Sequence, residues 1–360
     1  MENLVNIGFW SGRRIFLTGH TGFKGSWLAL WLSELGAEVT GYALPPPTTP
    51  NLFESARIDE TLHSVIGDIR DLAHLRQAII EARPQTIFHL AAQPIVSEGY
   101  RDPVGTYATN VMGTVNLLEV CRSCPSLENI VVITTDKCYD NQETLHDYVE
   151  TDPLGGRDPY SSSKACTELV SAAYRQSFLS TPNSPKLATA RAGNVIGGGD
   201  WATNRLLPDL LRAFSNGQTA SLRSPNAIRP WQHVLDPLAG YLTLAEKLGN
   251  PWHTARSWNF GPDLRDCVTT GSLANLVAQQ WGSGANWRSE ASSNFPHEAQ
   301  LLRLNTDAAR QMLKWRPKWP ITEGVRHTVD WHRAWLNGQD MQAFSRLQIK
   351  QHQQSTPLTQ

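Results

Sequence analysis

Two short stretches carry side chains whose types and spacing suit proton transfer. In "DPYSSSKA", Tyr160 and Lys164 stand four residues apart, about one helical turn, and so share a face. A phenol titrates near pH ~10, too high for a base at neutral pH, and nearby positive charge favours the phenolate. In "TTDKCYDN", Asp136 and Lys137 set an acid and a base side by side after the apolar run 129–133, with the Thr135 hydroxyl next to them. A free pair of this kind rests as Asp⁻ and Lys⁺. For Asp136 to donate and Lys137 to accept, the mobile proton must sit on the carboxylate. Burial disfavours both charges and moves the proton that way, although the titration belongs to the pair.

These residues need elements to position them. Strand patterns fall at 14–18, 38–43, 64–67, 86–90, 129–134 and 187–192, with helical patterns near 26–35, 72–82, 104–122 and 160–177. Such alternation predicts an α/β fold, a Rossmann-type doubly wound parallel sheet. After about Asn194 the chain turns to loops rich in Gly, Pro and Trp. "SPNAIRPWQHVLDP" then leads into an apolar helix, and "SWNFG" reads as a strand returning to the first domain. The Rossmann domain is therefore expected over 1–195 plus about 231–262. A smaller, discontinuous mixed α/β substrate domain is expected over about 196–230 plus 263–337, and the glutamine-rich 338–360 as a frayed polar tail.

"FLTGHTGFKGSW" places Gly19, Gly22 and Gly25 between the first strand and its helix. Glycines there admit a pyrophosphate close to the backbone, at a helix end that offers N–H groups and partial positive charge. The spacing is one residue longer at its first interval than the usual dinucleotide fingerprint. An oxidised nicotinamide held there would add a second positive charge beside Tyr160. The second strand ends Tyr42-Ala43-Leu44 and three prolines, with neither an acid for NAD nor an arginine for NADP. Asp68, in "IGDIRD", suits either an adenine edge or the start of the next helix.

With "TGFKG", "HLAAQP", "TNVMGT" and "YSSSK", the chain resembles the extended short-chain dehydrogenases/reductases that act on nucleotide sugars. More narrowly, "GHTGFKGSW", "TTDKCYDN", "DPLGGRDPYSSSK", "ARAGNVIGGGDW", "RPWQHVLDPLAGYL" and "WNFGP" are similar to the CDP-glucose 4,6-dehydratases, from about Arg14 to Trp331. The resemblance implies NAD as cofactor, held by Gly19, Thr21, Gly22, Phe23, Gly25, Asp68, Ile69, Leu90, Ala91, Ala92, Tyr160 and Lys164. It implies catalysis by Thr135, Asp136, Lys137, Tyr160 and Lys164. In that reaction C4 of the sugar is oxidised, water leaves across C5–C6, and the hydride returns to C6, giving a 4-keto-6-deoxy sugar for deoxysugar biosynthesis. Asp136 would be the acid and Lys137 the base. The dTDP-glucose and GDP-mannose relatives carry glutamate at the position of Lys137, so the lysine favours CDP-glucose as substrate. Gln93, Asn194, Arg205 and Arg229 match substrate-binding positions, the two arginines at the diphosphate. "PIVSEGY" departs from the family pattern at Ser97 and Glu98. Relatives pair through the helices near 104–122 and 160–177, which implies a homodimer or homotetramer. A nucleotide-sugar 4-epimerase, a dehydratase of another nucleotide sugar and a silent NAD-binding scaffold remain as alternatives.

Composition bounds the rest. The chain has 360 residues, with 18% charged against a usual ~25%, thirteen tryptophans and a formal net charge of -1. That balance argues against a nucleic-acid or membrane-surface partner. No apolar run approaches the ~18 residues of a membrane span. "MENLVNIGFWSGRR" does not read as a secretory leader, and the five cysteines lack a framework spacing, so a cytoplasmic location is expected. No metal is expected, His233 and His297 lacking ligand spacing.

Overall fold

The computed structural model describes residues 5–249, 257–290 and 299–358. At its centre, among the described residues, is a seven-stranded sheet. Its strands are β1 (Arg14–Thr18), β2 (Glu38–Ala43), β3 (His63–Ile66), β4 (Thr86–His89), β5 (Asn129–Ile133), β6 (Lys186–Ala192) and β7 (Ser257–Phe260). They lie side by side in the order β7-β6-β5-β4-β1-β2-β3, all parallel. The order reverses between β1 and β4, and ligands of such sheets bind outside the strand ends at that crevice.

A parallel sheet is covered on both faces, and the strands show it by alternation. Ile15 and Leu17 of β1, with Val131 and Ile133 of β5, join one apolar cluster. Phe16, Ile130 and Val132 point into another on the opposite face. Helix α1 (Phe23–Glu34) packs in the first cluster, with Trp27, Leu28, Leu30, Trp31 and Leu32 at most 1% exposed. Helices α2 (Leu72–Ala82), α3 (Gly113–Cys121) and α4 (Pro159–Ser177) follow β3, β4 and β5. A short helix, Pro103–Tyr107, and a π-helical turn, Ala108–Met112, lead into α3.

Beyond β6 the chain builds smaller elements around the strand ends. Helices α5 (Leu206–Ser215), α7 (Thr270–Trp281) and α8 (Ile321–Leu336) lie here, whereas α6 (Leu235–Lys247) packs on the sheet in the first apolar cluster through Leu238, Tyr241 and Leu242. α5, α7 and α8 enclose a further core of Leu207, Leu210, Phe214, Leu273, Val277 and Val325. Ile228–Pro230 pairs antiparallel with Cys267–Thr269, and Gln232–His233 pairs parallel with Val195–Ile196. Ser257–Phe260, read from "SWNFG", hydrogen-bonds to β6 as expected. Among the described residues no helix is long and apolar enough to cross a membrane.

The expected frayed tail is corrected. Residues Met341–Gln354 form helix α9, capped by Asp340, whose carboxylate accepts from the N–H groups of Gln342 and Ala343. Its polar residues are used internally. Gln348 donates to His327 O (2.8 Å), Trp331 donates to Ser345 Oγ (2.9 Å), and His352 Nε2 meets Asp236 Oδ1 at 2.9 Å. Lys318 Nζ donates to the carbonyls of His352 and Gln353 at the helix end. Ile349 is 1% exposed in the first core. Ile349→Ala should therefore cost about 2–4 kcal/mol in urea denaturation; a frayed tail would tolerate it within about 0.5 kcal/mol.

Candidate active site

The ends of β1, β4 and β5 and the start of α4 open onto one cleft of about 990 Å³. Every site residue named from the sequence lines it except Gln93. The Gln93 side chain turns back into its own loop, donating to Thr106 Oγ1 (2.8 Å) and accepting from Ile95 N (2.5 Å). In this structure the amide is spent on shaping the loop. Ser97 lines the cleft, while Glu98 pairs with Arg101 at 2.6 Å. His297 lies outside the described residues.

The glycine cradle forms because side chains cannot fit. Gly19 has φ +79°, and a Cβ there would stand 2.8 Å from Ala91 N. A Cβ on Gly25 would stand 2.0 Å from Gly19 O. Gly22 is the N-cap of α1 and offers no side chain to the first-turn N–H groups. These features fit a pyrophosphate, whose oxygens bring acceptors to the helix end. At the far end Asp68 accepts from Arg70 N (2.9 Å) and pairs with its guanidinium. The end of β2 contributes Ala43, Leu44 and Pro45 and no carboxylate.

At the end of β5 the chain stays extended at Thr135, φ -153° and ψ 158°, then turns tightly through Asp136–Cys138. Thr135 Oγ1 accepts from Lys137 N (3.3 Å) and donates to Asp136 Oδ1 (3.0 Å), and Thr135 also favours the ionised form of the Tyr160 phenol. Lys164 Nζ donates to Ile133 O at 3.1 Å. The helix carrying Tyr160 and Lys164 starts at a firm cap, Asp158, which accepts from Ser161 N. Acid, phenol and ammonium are thereby gathered at one strand end.

Desolvation sets their charge states. Asp136 is 2% exposed, and burial raises its carboxyl pKa against Lys137, Thr135, Arg229 and Lys24, which pull it down. Its Oδ2 is buried with no hydrogen-bond partner in the protein. Burial lowers Lys164 to about 8 and pushes Tyr160 up to about 12, opposed at Tyr160 by Thr135 and Arg205. Burial thus moves Asp136 towards its protonated form, and the phenol requires added positive charge to act as a base.

Arg205 pairs with Asp200 at 3.4 Å, and Arg229 is 4% exposed and donates to Ile228 O. Asn194 lies in the cleft wall at the end of β6, where its carbonyl accepts from Gln232 N. Sequence reading missed Lys24, which faces the cleft from the first turn of α1. Loss of water lowers its pKa to about 7, assisted by Arg205 and Lys164 and opposed by Asp136. A cation at a helix N-terminus opposes the helix dipole, and that mismatch was the available signal.

Comparison with known proteins places this geometry. The model of the family GDP-mannose 4,6 dehydratase matches residues 16–328. A CDP-glucose 4,6-dehydratase of Salmonella typhimurium is 48% identical over 358 residues, covering 98% of this chain and 99% of that one. Two solved structures share the fold. A dTDP-glucose 4,6-dehydratase of Bacillus anthracis in complex with NAD has TM-score 0.74 and 22% identity over 89% of this chain and 97% of that one. A UDP-glucose 4-epimerase of Thermotoga maritima with UDP-glucose has TM-score 0.76 and 20% identity over 89% of this chain and 99% of that one.

The buried Asp136 carries a stability consequence. Its raised pKa means the native state holds the proton more firmly than the unfolded chain. This contribution is fully present below the unfolded value of ~3.9 and is lost as pH rises through the folded one. Asp136→Asn, neutral at every pH, should therefore melt above the wild type at pH 8. The gain should shrink as pH falls towards 4. Equal or lower melting of the variant at pH 8 by calorimetry would refute the burial argument.

Proposed function

The chain belongs to the GDP-mannose 4,6-dehydratase family, and from that premise we propose that it converts CDP-D-glucose to CDP-4-keto-6-deoxy-D-glucose and water, with NAD as the recycled cofactor. The observation that carries this reading is the Asp136–Lys137 turn at the end of β5, beside Tyr160. An epimerase requires the phenol and the cofactor but no second acid–base pair. The lysine and the 48% identity to a CDP-glucose enzyme favour the CDP sugar.

Gly19, Gly22, Gly25 and the first turn of α1 would hold the NAD pyrophosphate, with Asp68 and Ile69 towards the adenine and Lys164 towards the nicotinamide ribose. Bound NAD supplies a hydride acceptor for C4 and gives the hydride back at C6. Tyr160 Oη takes the proton of the 4-hydroxyl, whose oxygen Thr135 Oγ1 holds. The C4 ketone acidifies the C5 hydrogen, which Lys137 Nζ removes while Asp136 Oδ2 protonates the departing 6-hydroxyl. Lys137 returns its proton to C5. The hydroxyl proton lost from O4 balances the one that leaves in the water. Arg205 and Arg229 face the sugar nucleotide's diphosphate, and Asn194 its hexose.

We assign 1–195 with about 231–262 to NAD and 196–230 with 263–337 to the nucleotide sugar; the pairing of Ser257–Phe260 with β6 supports the return. The substrate and cofactor belong to the cytoplasm, and we place the chain there. We also propose a homo-oligomer, at least a dimer. Val104, Met112 and Leu169 are 78%, 52% and 58% exposed on the helices that lead into and form α3 and α4, an apolar presentation that a second copy would cover.

The test of substrate is incubation with NAD+ and, separately, CDP-glucose, UDP-glucose, dTDP-glucose and GDP-mannose. Loss of one water by mass, with alkaline near-ultraviolet absorbance, is expected from CDP-glucose. An isomer without water loss would make the protein an epimerase. For assembly, light scattering should give a dimer or tetramer, and Val104→Asp with Leu169→Glu should halve the mass or more; a monomeric wild type refutes the oligomer.

A further inference from the structure

A third residue shares the face of α4 that carries Tyr160 and Lys164. Glu168, one turn further on, is 2% exposed. Its carboxylate accepts from Thr134 Oγ1 (2.5 Å), Thr189 Oγ1 (2.7 Å) and Ser257 Oγ (3.3 Å). Arg191 adds two more donors, Nε and Nη2, at 3.0 Å each. The remaining guanidinium nitrogen of Arg191 donates to Tyr139 Oη (2.8 Å) and Glu150 O (3.1 Å). Tyr139 Oη passes its own hydrogen to Asn259 Oδ1 at 2.7 Å. The chain is therefore gripped at Thr134 and at Tyr139, on either side of the segment Thr135, Asp136, Lys137 and Cys138. A buried ion pair is weak evidence for stability in itself, because desolvation offsets its attraction. Its position under the reacting residues asks for another reason.

We propose that Glu168 and Arg191 form a positioning pair for the reaction, clamping the chain on both sides of the catalytic turn while Glu168 supplies the counter-charge of Lys164. This rests on the dehydratase reading for the roles of Tyr160 and Lys164. The charge of Lys164 interacts with Glu168 on its own helix, the Cys138 thiol in the turn, His89 on β4 and Lys24 on α1. Burial holds the Cys138 thiol protonated and His89 neutral, near 3. Lys24 repels. Glu168 is first among the groups that keep Lys164 charged against its desolvation. Arg191 in turn keeps Glu168 ionised, together with Thr134 and Thr189.

The pH dependence follows in sign. Lys164 carries its charge below about 8 and loses it as pH rises through that value. Without Glu168 the charge is lost earlier, so the alkaline limb of kcat should move to lower pH by about 1 unit. The test uses Glu168→Gln and the double variant Glu168→Gln/Arg191→Gln, which leaves no unpaired buried cation, saturated with NAD+ and CDP-glucose. Glu168→Asp keeps the charge and should keep the limb within a few tenths of a unit of wild type, at reduced kcat. Titration of Lys164 by NMR of carbon-13 lysine-labelled protein reads the same shift without turnover. A wild type inactive on CDP-glucose would refute the dehydratase reading, and the NMR shift would still judge the pair. A lower melting temperature with both the limb and the Lys164 titration unmoved would make the pair merely structural and overturn the proposal. Should neither glutamine variant fold, a Glu168→Asp limb displaced as far as about 1 unit would overturn it equally.

Discussion

Loss of water at the carboxyl ends of a sheet covered on both faces governs this protein. Parallel strands bury their backbones under helices, so side chains for chemistry can enter where strands stop. There they are still nearly dry. Asp136 at 2%, Lys164 at 6% and Tyr160 at 9% exposure all have their protonation moved by burial first and by neighbours second. The shifts have a common direction in effect: each favours the uncharged form. At Asp136 burial moves the carboxyl towards the neutral form that a proton donor needs. Lys164 and Tyr160 instead must be brought to their working charges by partners, and the structure supplies these as Thr135 and Arg205 at the phenol and Glu168 at the lysine.

Backbone sterics impose the second constraint. The loop after β1 approaches both Ala91 and the start of α1 so closely that a methyl group at Gly19 or Gly25 would collide with main-chain atoms. These atoms are not the far ends of flexible side chains and have nowhere to move. The same compactness brings β1, β4 and β5 to end around one cleft, so the cradle and the acid–base turn face each other. Register in the sheet couples them. Thr18 pairs with His89 and His89 with Val132, which sets the glycine loop, the "LAAQ" loop and the catalytic turn at one level.

What could be read from the sequence was what local spacing encodes. Gly19, Gly22 and Gly25 sit in a strand–turn–helix pattern, and Tyr160 and Lys164 are one turn apart, so each group announces its geometry within a dozen residues. Alternating β-branched runs gave the strands for the same reason. Lys24 escaped because its meaning comes from Arg205, Lys164 and Asp136, none of them near it in the chain. Glu168 stood in plain view one turn beyond Lys164, but its importance depends on Thr134 and Arg191 reaching it across the sheet. The turn of the Gln93 side chain away from the cleft could not be read either, because Thr106 and Ile95, its partners, declare themselves only in the folded loop. Helix α9 was hidden by composition: Gln348, His352 and Ser345 look solvated in sequence, yet each is buried against a partner supplied by α6 or α8.

The charge inventory of the cleft carries the synthesis one step further. Lys24, Lys137, Lys164, Arg205, Arg223 and Arg229 all line it, while its acids are Asp68, Asp136, Asp200 and Asp209. Asp68 is bound to Arg70, Asp200 to Arg205 and Asp209 to Arg212, and Asp136 is driven towards its neutral form. A chain with formal net charge -1 has thus gathered six cationic side chains against four acidic ones in one cleft, close enough that Arg205 and Lys164 both depress Lys24. Like charges held together in a desolvated cleft repel strongly, and such an arrangement is stabilised when anions enter it. Anionic ligands are what this excess of positive side chains would best accommodate. An anion bound there lessens the repulsion among the cations around it, so the cleft is a field built for negative charge rather than for a neutral ligand.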